Sequence, residues 1–378
     1  MLFSFALLFG QKKVFQLFKL QACKFILLGW AVGLTGCASE KPVIERLLWE
    51  GSTMGTTYML KVALVQDEAG AYANFDSSGS PSEPLLAKLP TQEGLDSVLD
   101  RVNASLSTYR SASTLSQFNR CSSCFLVDSM LKRNFTASML VHEASSGAFD
   151  PSVYPLVQAW GFGPQPRDMG PDSSRVQELL QLVGLGQFVL KGDSLCKSKP
   201  GQMLDFSAIA KGYGVDVVGW YLESLGIRNY LVEIGGEIRA SGWRDPAQPW
   251  TVAVEKPMDD PRGQQRAVLL QIPVRNRSMA SSGNYRNFYM LNGVKMAHTI
   301  QTSTGYPTPS DVLAATIMAD DCMTADAYAT ACMALGSSGA KAMLSEHPEL
   351  DAILVIGNPK AASGYILYAT RGMKAYLP

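Results

Sequence analysis

Apolar positions recur at two spacings along the chain, one typical of helices and one typical of strands. Stretches with apolar residues three and four positions apart predict helices, and shorter alternating or continuous apolar runs predict strands. The predicted helices cover residues 93–106, 129–146, 206–225, 324–335 and 338–347. The predicted strands cover residues 56–64, 230–240 (a hairpin around Gly235-Gly236), 250–255, 267–274, 288–298 (bent at Asn292-Gly293), 312–319, 352–356 and 365–370.

Strands outnumber helices in this pattern, and several of them follow one another as hairpins. The pattern therefore predicts an α+β fold of mixed or antiparallel sheets with packed helices, and not a doubly wound parallel sheet. With 378 residues the chain is long enough for a single large domain of two intimately joined halves, which we place at residues 49–378. Residues 66–90 are mostly polar and small and contain glycines and prolines, so we predict a surface-loop insertion there.

The beginning of the chain has the pattern of a bacterial lipoprotein signal. Lysines precede a short apolar stretch, which ends at Leu34-Thr35-Gly36-Cys37. The pattern predicts a signal peptide over residues 1–36, a lipid on Cys37 and a tether over residues 37–48. An uncleaved membrane anchor is the alternative, although the apolar core is short for a span of about 20 residues. Both interpretations place the folded part in the bacterial cell envelope, facing the periplasm, and the first anchors it to a membrane through lipid.

Charge and cysteine spacing exclude some partners. Lysine plus arginine and aspartate plus glutamate both number 33, so the chain has no basic field that would attract nucleic acid. Cys121 and Cys124 form a lone Cys-x-x-Cys pair, and without a second such pair we do not expect zinc. In an oxidising compartment these two can close a small disulfide, which we favour over thioredoxin-like chemistry. Cys322 and Cys332 lie in apolar surroundings and are predicted to be core residues.

Two acidic residues near predicted helices, Asp326 and Asp205, are candidate site residues. Asp326 and Thr330 are four positions apart, so on a helix they share a face and both present oxygen atoms. Mg²⁺ takes such ligands together with substrate phosphates. The alternatives are a carboxylate at the positive end of a helix for Asp326 and a hydroxyl bonded to its own helix for Thr330. Asp205 directly precedes a predicted helix, where a carboxylate can act as the N-cap.

Three histidines occur in the chain. His298 lies at the end of a predicted strand that enters a polar loop, and a neutral imidazole there can accept a proton from an attacking hydroxyl. A hydrogen-bonded structural histidine is the alternative. His142 lies within a predicted helix and His347 at the end of another, so we expect structural or surface roles for both.

Polar, glycine-containing segments interrupt the apolar elements in a particular order. They are residues 52–57, 107–110, 147–151, 205–212 and 297–307, followed by the predicted helix with Asp326 and Thr330. In this order they resemble one family, the FAD:protein FMN transferases, which are the ApbE-type flavin transferases once called thiamine-biosynthesis lipoproteins. The resemblance covers nearly the whole mature chain, from about Trp49 onward. Its most specific parts are residues 205–212, 235–239 and 298–307.

The resemblance implies a reaction and its partners. The reaction would be a Mg²⁺-dependent transfer of FMN from FAD to the hydroxyl of a threonine or serine on an acceptor protein, with release of AMP; Mn²⁺ is the alternative cation. The implied acceptors are flavin-carrying subunits of membrane redox complexes, such as the sodium-pumping NADH:quinone reductase. Two alternatives stay open, an FAD pyrophosphatase that makes FMN and AMP, and a non-catalytic periplasmic flavin-binding lipoprotein.

The resemblance also assigns roles to residues of this chain. The implied cofactor-binding residues are Met54, Tyr109, Ala148, Phe149, Asp150, Asp205, Lys211 and Ile300. The implied metal ligands are the backbone carbonyl of Ala208 and the side chains of Asp326 and Thr330. His298 is the predicted catalytic residue. Gln301 and Thr302 depart from the family pattern, in which Asp and Pro are common at these positions.

Overall fold

A ten-stranded sheet forms the centre of the fold. The computed structural model describes residues 43–377, apart from 67–69, 86–87, 164–169, 258–266, 285–287, 292–293, 298 and 308–309. The predicted signal peptide, the lipidated Cys37 and the first part of the tether lie outside the described residues. Among the helices that are described, none is both long enough and apolar enough to cross a bilayer.

Strands and helices are grouped along the described chain, with four strands before the first helix and eight strands in succession between two later helices. The strands are β1 (Ile44–Thr53), β2 (Thr56–Gln66), β3 (Tyr72–Phe75), β4 (Pro81–Pro84), β5 (Cys124–Leu126), β6 (Phe188–Lys191), β7 (Ser194–Lys197), β8 (Tyr230–Ile234), β9 (Glu237–Ser241), β10 (Trp250–Glu255), β11 (Val268–Val274), β12 (Arg277–Gly283), β13 (Phe288–Leu291), β14 (Val294–Ala297), β15 (Val312–Ala319), β16 (Asp351–Gly357) and β17 (Tyr365–Ala369). The α-helices are α1 (Gln92–Leu106), α2 (Thr114–Arg120), α3 (Ser129–Ala144), α4 (Tyr154–Ala159), α5 (Ser173–Leu180), α6 (Ala210–Ser224) and α7 (Cys322–Glu346).

The order of strands in the central sheet is β17-β16-β15-β12-β9-β8-β2-β3-β4, with β1 also paired to β2. All of these described pairs are antiparallel. The hairpins β10–β11 and β13–β14 and the small sheet β5-β7-β6 stand apart from it. The predicted α+β class is therefore confirmed, with antiparallel pairing throughout the described sheets.

Alternation along β2 shows how the central sheet is covered on both faces. Leu60, Val62 and Leu64 pack with buried residues of α1 and α6. Ala63 and Val65 pack instead with the hairpin β10–β11. Successive side chains of a strand point to opposite faces, so the helices lie on one face of the sheet and the hairpin on the other.

Helix boundaries follow from capping residues and glycine. The hydroxyl of Thr91 accepts a hydrogen bond from the Gly94 N–H at the start of α1, and the carboxylate of Asp321 accepts one from the Thr324 N–H at the start of α7. Gly336 has a φ of 69° inside α7, a left-handed conformation that favours glycine. This kink lies at the gap between the two helices predicted there from the sequence.

Several expectations about local structure are wrong. Strand β1 begins at Ile44, within the predicted tether, and it pairs with the whole of β2. The predicted loop 66–90 contains β3 and β4, and its buried Asn74 donates a hydrogen bond to the carbonyl of Gly226. Residues 66–90 are polar in composition, but β3 pairs with both β2 and β4, and this pairing supplies backbone partners that composition does not reveal.

The disulfide also differs from the expectation. Cys124 is bonded to Cys196, and Cys121 is a free thiol. Cys124 on β5 lies directly opposite Cys196 on β7, although 72 residues separate them in sequence, so strand pairing and not the Cys-x-x-Cys spacing selects the partner. The predicted burial of Cys322 and Cys332 is confirmed.

Candidate active site

One cleft brings together all of the described residues that were predicted to bind the cofactor or the metal. Its volume is about 1670 Å³, above the roughly 300–1,000 Å³ of pockets for drug-sized ligands. The predicted residues that line it are Met54, Tyr109, Ala148, Phe149, Asp150, Asp205, Ala208, Lys211, Ile300, Asp326 and Thr330. The cleft therefore collects segments that are far apart in the sequence.

The turn between β1 and β2 carries Met54 into the cleft. Met54 has a φ of 50° and Gly55 a φ of 74°, so both adopt the left-handed conformation. A Cβ on Gly214 of α6 would lie 2.6 Å from the methyl carbon of Met54. Met54 is thus packed directly against α6, and a larger residue at position 214 would displace the end of its side chain.

The predicted aromatic walls differ in exposure. Tyr109 is 70% exposed, whereas Phe149 is 2% exposed. Phe149 is held by its N–H, which donates to the Ser145 hydroxyl, and by its carbonyl, which lies 2.9 Å from Nδ1 of His142. Tyr109 therefore offers a free aromatic face at the cleft, and His142 has the structural role expected of it.

Asp150 lines the cleft, and its carboxylate also accepts hydrogen bonds from backbone N–H groups. Its carboxylate accepts hydrogen bonds from the N–H groups of Ser152 and Leu185, at 2.8 and 3.0 Å. Burial raises the pKa of this carboxyl, while Ser152 opposes the shift. The side chain thus connects the turn after Phe149 to a distant loop and fixes this wall of the cleft.

Asp205 is not the N-cap of the helix that follows it, and this corrects the expectation. Helix α6 begins at Ala210, five positions later. The Asp205 carboxylate instead accepts hydrogen bonds from the N–H and hydroxyl of Ser207, at 2.9 and 2.6 Å. Asn119 pairs with both backbone groups of the preceding Leu204, a contact that no sequence pattern indicated. Burial raises the pKa of Asp205.

A glycine contact brings α6 and α7 together at the centre of the cleft. A Cβ on Gly212 would lie 2.3 Å from the carbonyl oxygen of Cys322 and 2.9 Å from Cβ of Asp326. The Gly212 N–H donates a 3.0 Å hydrogen bond to Oδ2 of Asp326. Glycine at this position therefore allows the close approach that sets Lys211 beside Asp326.

Lys211 lies between two buried carboxylates. Its Nζ is 3.4 Å from Oε1 of Glu237 and 3.8 Å from Oδ1 of Asp326. Burial opposes the charge on Lys211, but Asp326 and Glu237 outweigh it and raise the pKa of the lysine. Burial raises the pKa of Glu237, and Lys211 opposes this shift while Asp326 adds to it. Burial likewise raises the pKa of Asp326.

The oxygen donors beside Lys211 fit a hard divalent cation. Asp326 offers a carboxylate, and the hydroxyls of Thr330 and Ser282 lie 3.2 Å apart. Oε2 of Glu237 is buried and has no hydrogen-bond partner. No group of three or more His, Cys, Asp or Glu side chains gathers as a metal site among the described residues. A cation here would therefore use mixed oxygen ligands and leave positions for phosphate oxygens and water.

His298 lies outside the described residues, so its role stays a prediction. The segment after it is well placed, because Ile300 is buried and lines the cleft. Thr302, one of the two departures from the family pattern, donates a 3.0 Å hydrogen bond to the carbonyl of Gly147. This bond connects the segment to the wall that contains Phe149. Glu237 lies in the segment 235–239, which the family resemblance singled out without giving the residue a role. Ser282 was not predicted, and only its place on β12 reveals it.

Fold and cleft together define a protein with a large binding cleft on an antiparallel α+β scaffold, and comparisons with known proteins give its family. The model of the ApbE family matches residues 54–354. An FAD:protein FMN transferase of Vibrio cholerae is 36% identical over 348 residues, which cover 91% of this chain and 96% of that protein. Another, of Haemophilus influenzae, is 34% identical over 357 residues, covering 92% and 96%.

A solved structure agrees with these sequence matches. The flavin transferase ApbE from Vibrio cholerae superimposes with a TM-score of 0.75 at 34% identity, covering 89% of this chain and all of that one. The chain therefore belongs to the ApbE family, whose members named here are flavin transferases. This confirms the family and the enzyme class predicted from the sequence.

Proposed function

We propose that this chain transfers FMN from FAD to a threonine or serine hydroxyl of an acceptor protein and releases AMP, with Mg²⁺ as the cation. The observation that carries the proposal is the single cleft lined by every described residue that the family resemblance assigned to FAD or metal. The names of the related proteins support the same reaction.

The cleft offers distinct groups for the parts of FAD. Met54 and Tyr109 provide a thioether and an aromatic surface that suit planar rings, and the buried Phe149 supports the wall behind them. The ammonium of Lys211 can balance phosphate charge. Asp326, Thr330 and the carbonyl of Ala208 would hold the cation, which when bound neutralises charge on phosphate oxygens.

The transfer exchanges one bond to phosphorus for another. The acceptor oxygen forms a bond to the phosphorus of the FMN part, and the bond from that phosphorus to the bridging oxygen breaks, so AMP leaves with the bridging oxygen. The hydroxyl proton goes to a base, and we assign this role to His298. Its neighbour Thr299 lines the cleft, which supports a position near the reacting groups.

A single assay tests the reaction. The mature protein is incubated with FAD, Mg²⁺ and a candidate acceptor, and both the acceptor mass and free FMN are measured, with and without a chelator. We expect the acceptor to gain the mass of one FMN group only when the cation is present. Free FMN without acceptor labelling would instead indicate hydrolysis by water, and binding of FAD without either product would indicate a binding protein.

We also propose that the enzyme is lipid-anchored at Cys37 and faces the periplasm, where flavin-carrying subunits of membrane redox complexes would be its acceptors. The disulfide between Cys124 and Cys196 supports an oxidising compartment. Cys37→Ala should move the protein from the membrane fraction to the soluble fraction with flavin transfer retained. A Cys37→Ala protein that still pelleted with membranes after signal cleavage would contradict anchoring at this residue.

A further inference from the structure

Glu237 occupies an unusual place at the start of β9. Gly235 and Gly236, with φ values of 62° and 108°, form the tight turn that precedes it. The Glu237 side chain is buried, with 3% of its surface exposed, and it lines the cleft. Its Oε1 contacts Lys211, whereas Oε2 has no hydrogen-bond partner.

A buried carboxylate with one unpaired oxygen is costly to keep. An apolar side chain of similar size would fill the same space at lower cost, as replacements of buried ion pairs demonstrate in other proteins. The cost of burying Glu237 therefore indicates a functional role. Among the described residues its one ion pair is with Lys211, which faces the cleft.

We propose that Glu237 is a positioning residue for flavin transfer, which holds the ammonium group of Lys211 beside Asp326 so that this lysine receives a phosphate of FAD. The proposal rests on the proposed function, because it concerns how that reaction's substrate is bound. It assigns to Glu237 no contact with FAD itself.

Charge gives the reason why Lys211 needs a second carboxylate. Without Glu237 the lysine would keep only Asp326, at 3.8 Å. A divalent cation on Asp326 would repel the ammonium, and the long, flexible lysine side chain would turn toward water. Glu237 on the other side of the lysine keeps its charge in the cleft when the cation is bound.

The same charges predict that the effect of removing Glu237 on FAD binding depends on whether Lys211 is present. A carboxylate near the phosphates of FAD repels them directly, so Glu237 strengthens FAD binding only through Lys211. Removing Glu237 should therefore weaken FAD binding while Lys211 is present. Removing it when Lys211 is already absent should leave FAD binding unchanged or make it tighter.

The test is a double-mutant cycle on FAD affinity, measured by fluorescence titration of the full mature protein with Mg²⁺ present. Glu237→Gln should weaken FAD binding about tenfold, within the range of coupled neighbouring residues, and Lys211→Met should weaken it at least as much. In the Lys211→Met background, Glu237→Gln should cause no further loss. An equal loss from Glu237→Gln in both backgrounds would overturn the proposal.

Glu233→Gln is the matched control. Glu233 lies on the same hairpin, and its carboxylate accepts a hydrogen bond from the Gly236 N–H, which an amide oxygen can also accept. It does not line the cleft. The control should bind FAD as the natural protein does, and thermal unfolding should confirm that all four variants are folded. A loss in Glu233→Gln as large as that in Glu237→Gln would overturn the proposal, because any change of charge on the hairpin would then suffice.

A second arm separates positioning from direct metal ligation. Binding of Mn²⁺ to the FAD-free protein is followed by electron paramagnetic resonance. Asp326→Asn should lose Mn²⁺ binding, whereas Glu237→Gln should retain it within about threefold, a size typical of a charge that is not a ligand. Loss of Mn²⁺ in Glu237→Gln equal to that in Asp326→Asn would make Glu237 a ligand and overturn the proposal.

Failure of the proposed function can be recognised in the same experiment. If the natural protein bound no FAD, both the flavin-transfer proposal and this inference would fall. If it bound and transferred flavin while Glu237→Gln behaved like Glu233→Gln, the inference alone would be wrong.

Discussion

Two ion networks share strand β9 and helix α6, and only one of them is complete. In the first, Arg239 of β9 pairs with Asp216 of α6 at 3.0 Å and with Glu223 at 2.9 Å. In the second, Glu237 of β9 faces Lys211 of α6 at 3.4 Å. The two networks begin two residues apart on one strand, yet their hydrogen bonding differs.

The Arg239 network satisfies its buried groups. Asp216 also accepts hydrogen bonds from the N–H groups of Cys322 and Met323, at 3.0 and 2.9 Å, so it caps the start of α7. Arg239 donates a further bond to Tyr230. The Lys211 network has longer separations and an unpaired oxygen on Glu237. The complete network stabilises the fold, and the incomplete one leaves capacity for a ligand.

Among the substitutions that test the contrast between the two networks, Asp326→Ala should have the largest effect on activity. Transfer should fall by at least about 10³-fold, because a bound cation contributes several kcal/mol to phosphoryl transfer. The free energy of unfolding should change less than in Asp216→Ala, because Asp326→Ala leaves one backbone N–H without its acceptor and Lys211 keeps its contact with Glu237. Transfer and thermal unfolding measured side by side test this. Normal activity at ordinary Mg²⁺ concentrations would remove Asp326 from the cation site.

His298→Ala tests the proton transfer proposed for the reaction. A general base contributes about 10²–10⁴-fold in rate, so transfer to the acceptor should fall by a comparable factor. FAD affinity should change little, because the base acts on the acceptor hydroxyl. A variant that lost FAD binding without a separate effect on turnover would show that His298 shapes the pocket.

Asp216→Ala disrupts the complete network and should reduce the stability of the fold more than it reduces FAD binding. It leaves two N–H groups at the start of α7 without their acceptor, and among the described residues Arg239 keeps Glu223 alone as a carboxylate partner. Removal of one member of a buried pair costs about 3–5 kcal/mol. Denaturant unfolding at neutral pH measures this loss. Correctly folded Asp216→Ala should still bind FAD at low temperature. A stability loss no larger than that of Asp326→Ala would contradict the contrast between the networks.

The smallest effect is expected for Gly212→Ala, which disturbs the contact between the helices that carry both networks. The added methyl would meet the carbonyl of Cys322 at 2.3 Å, so the helices must move apart at a cost of about 1–3 kcal/mol. Gly186→Ala is a suitable control, because a Cβ there meets no atom within 4 Å. Equal melting temperatures for the two variants would show that the close contact tolerates a methyl group.

Local patterns predicted four of the described α-helices and ten of the described strands, and the family resemblance predicted most of the cleft. The described elements that they did not predict are α2, α4, α5, β1, β3–β7 and β12. The helical spacing of Leu95, Val98 and Leu99 placed α1 to within one residue, and the four-residue spacing of Asp326 and Thr330 placed both on the cleft side of α7. These features depend only on neighbours along the chain, so sequence patterns reveal them.

Those local patterns could not predict contacts between residues that are far apart in the sequence. The partner of Cys124 lies 72 residues away, and the capping of α7 by Asp216 joins residues 106 positions apart. The role of Glu237 likewise depends on α6 lying under β9. Such contacts are set by how sheets and helices pack, and a single sequence carries no local signal for them.

The glycine contact between α6 and α7 also bears on which ion the site prefers. Asp326 is held by the backbone N–H of residue 212 at one oxygen, and the helices already touch. Ca²⁺ requires oxygen atoms at about 2.3–2.6 Å in a pliable, crowded shell, whereas Mg²⁺ takes about 2.0–2.1 Å and few protein ligands. A carboxylate held where two helices touch has little freedom to retreat, so the proposed cation site would favour the smaller ion.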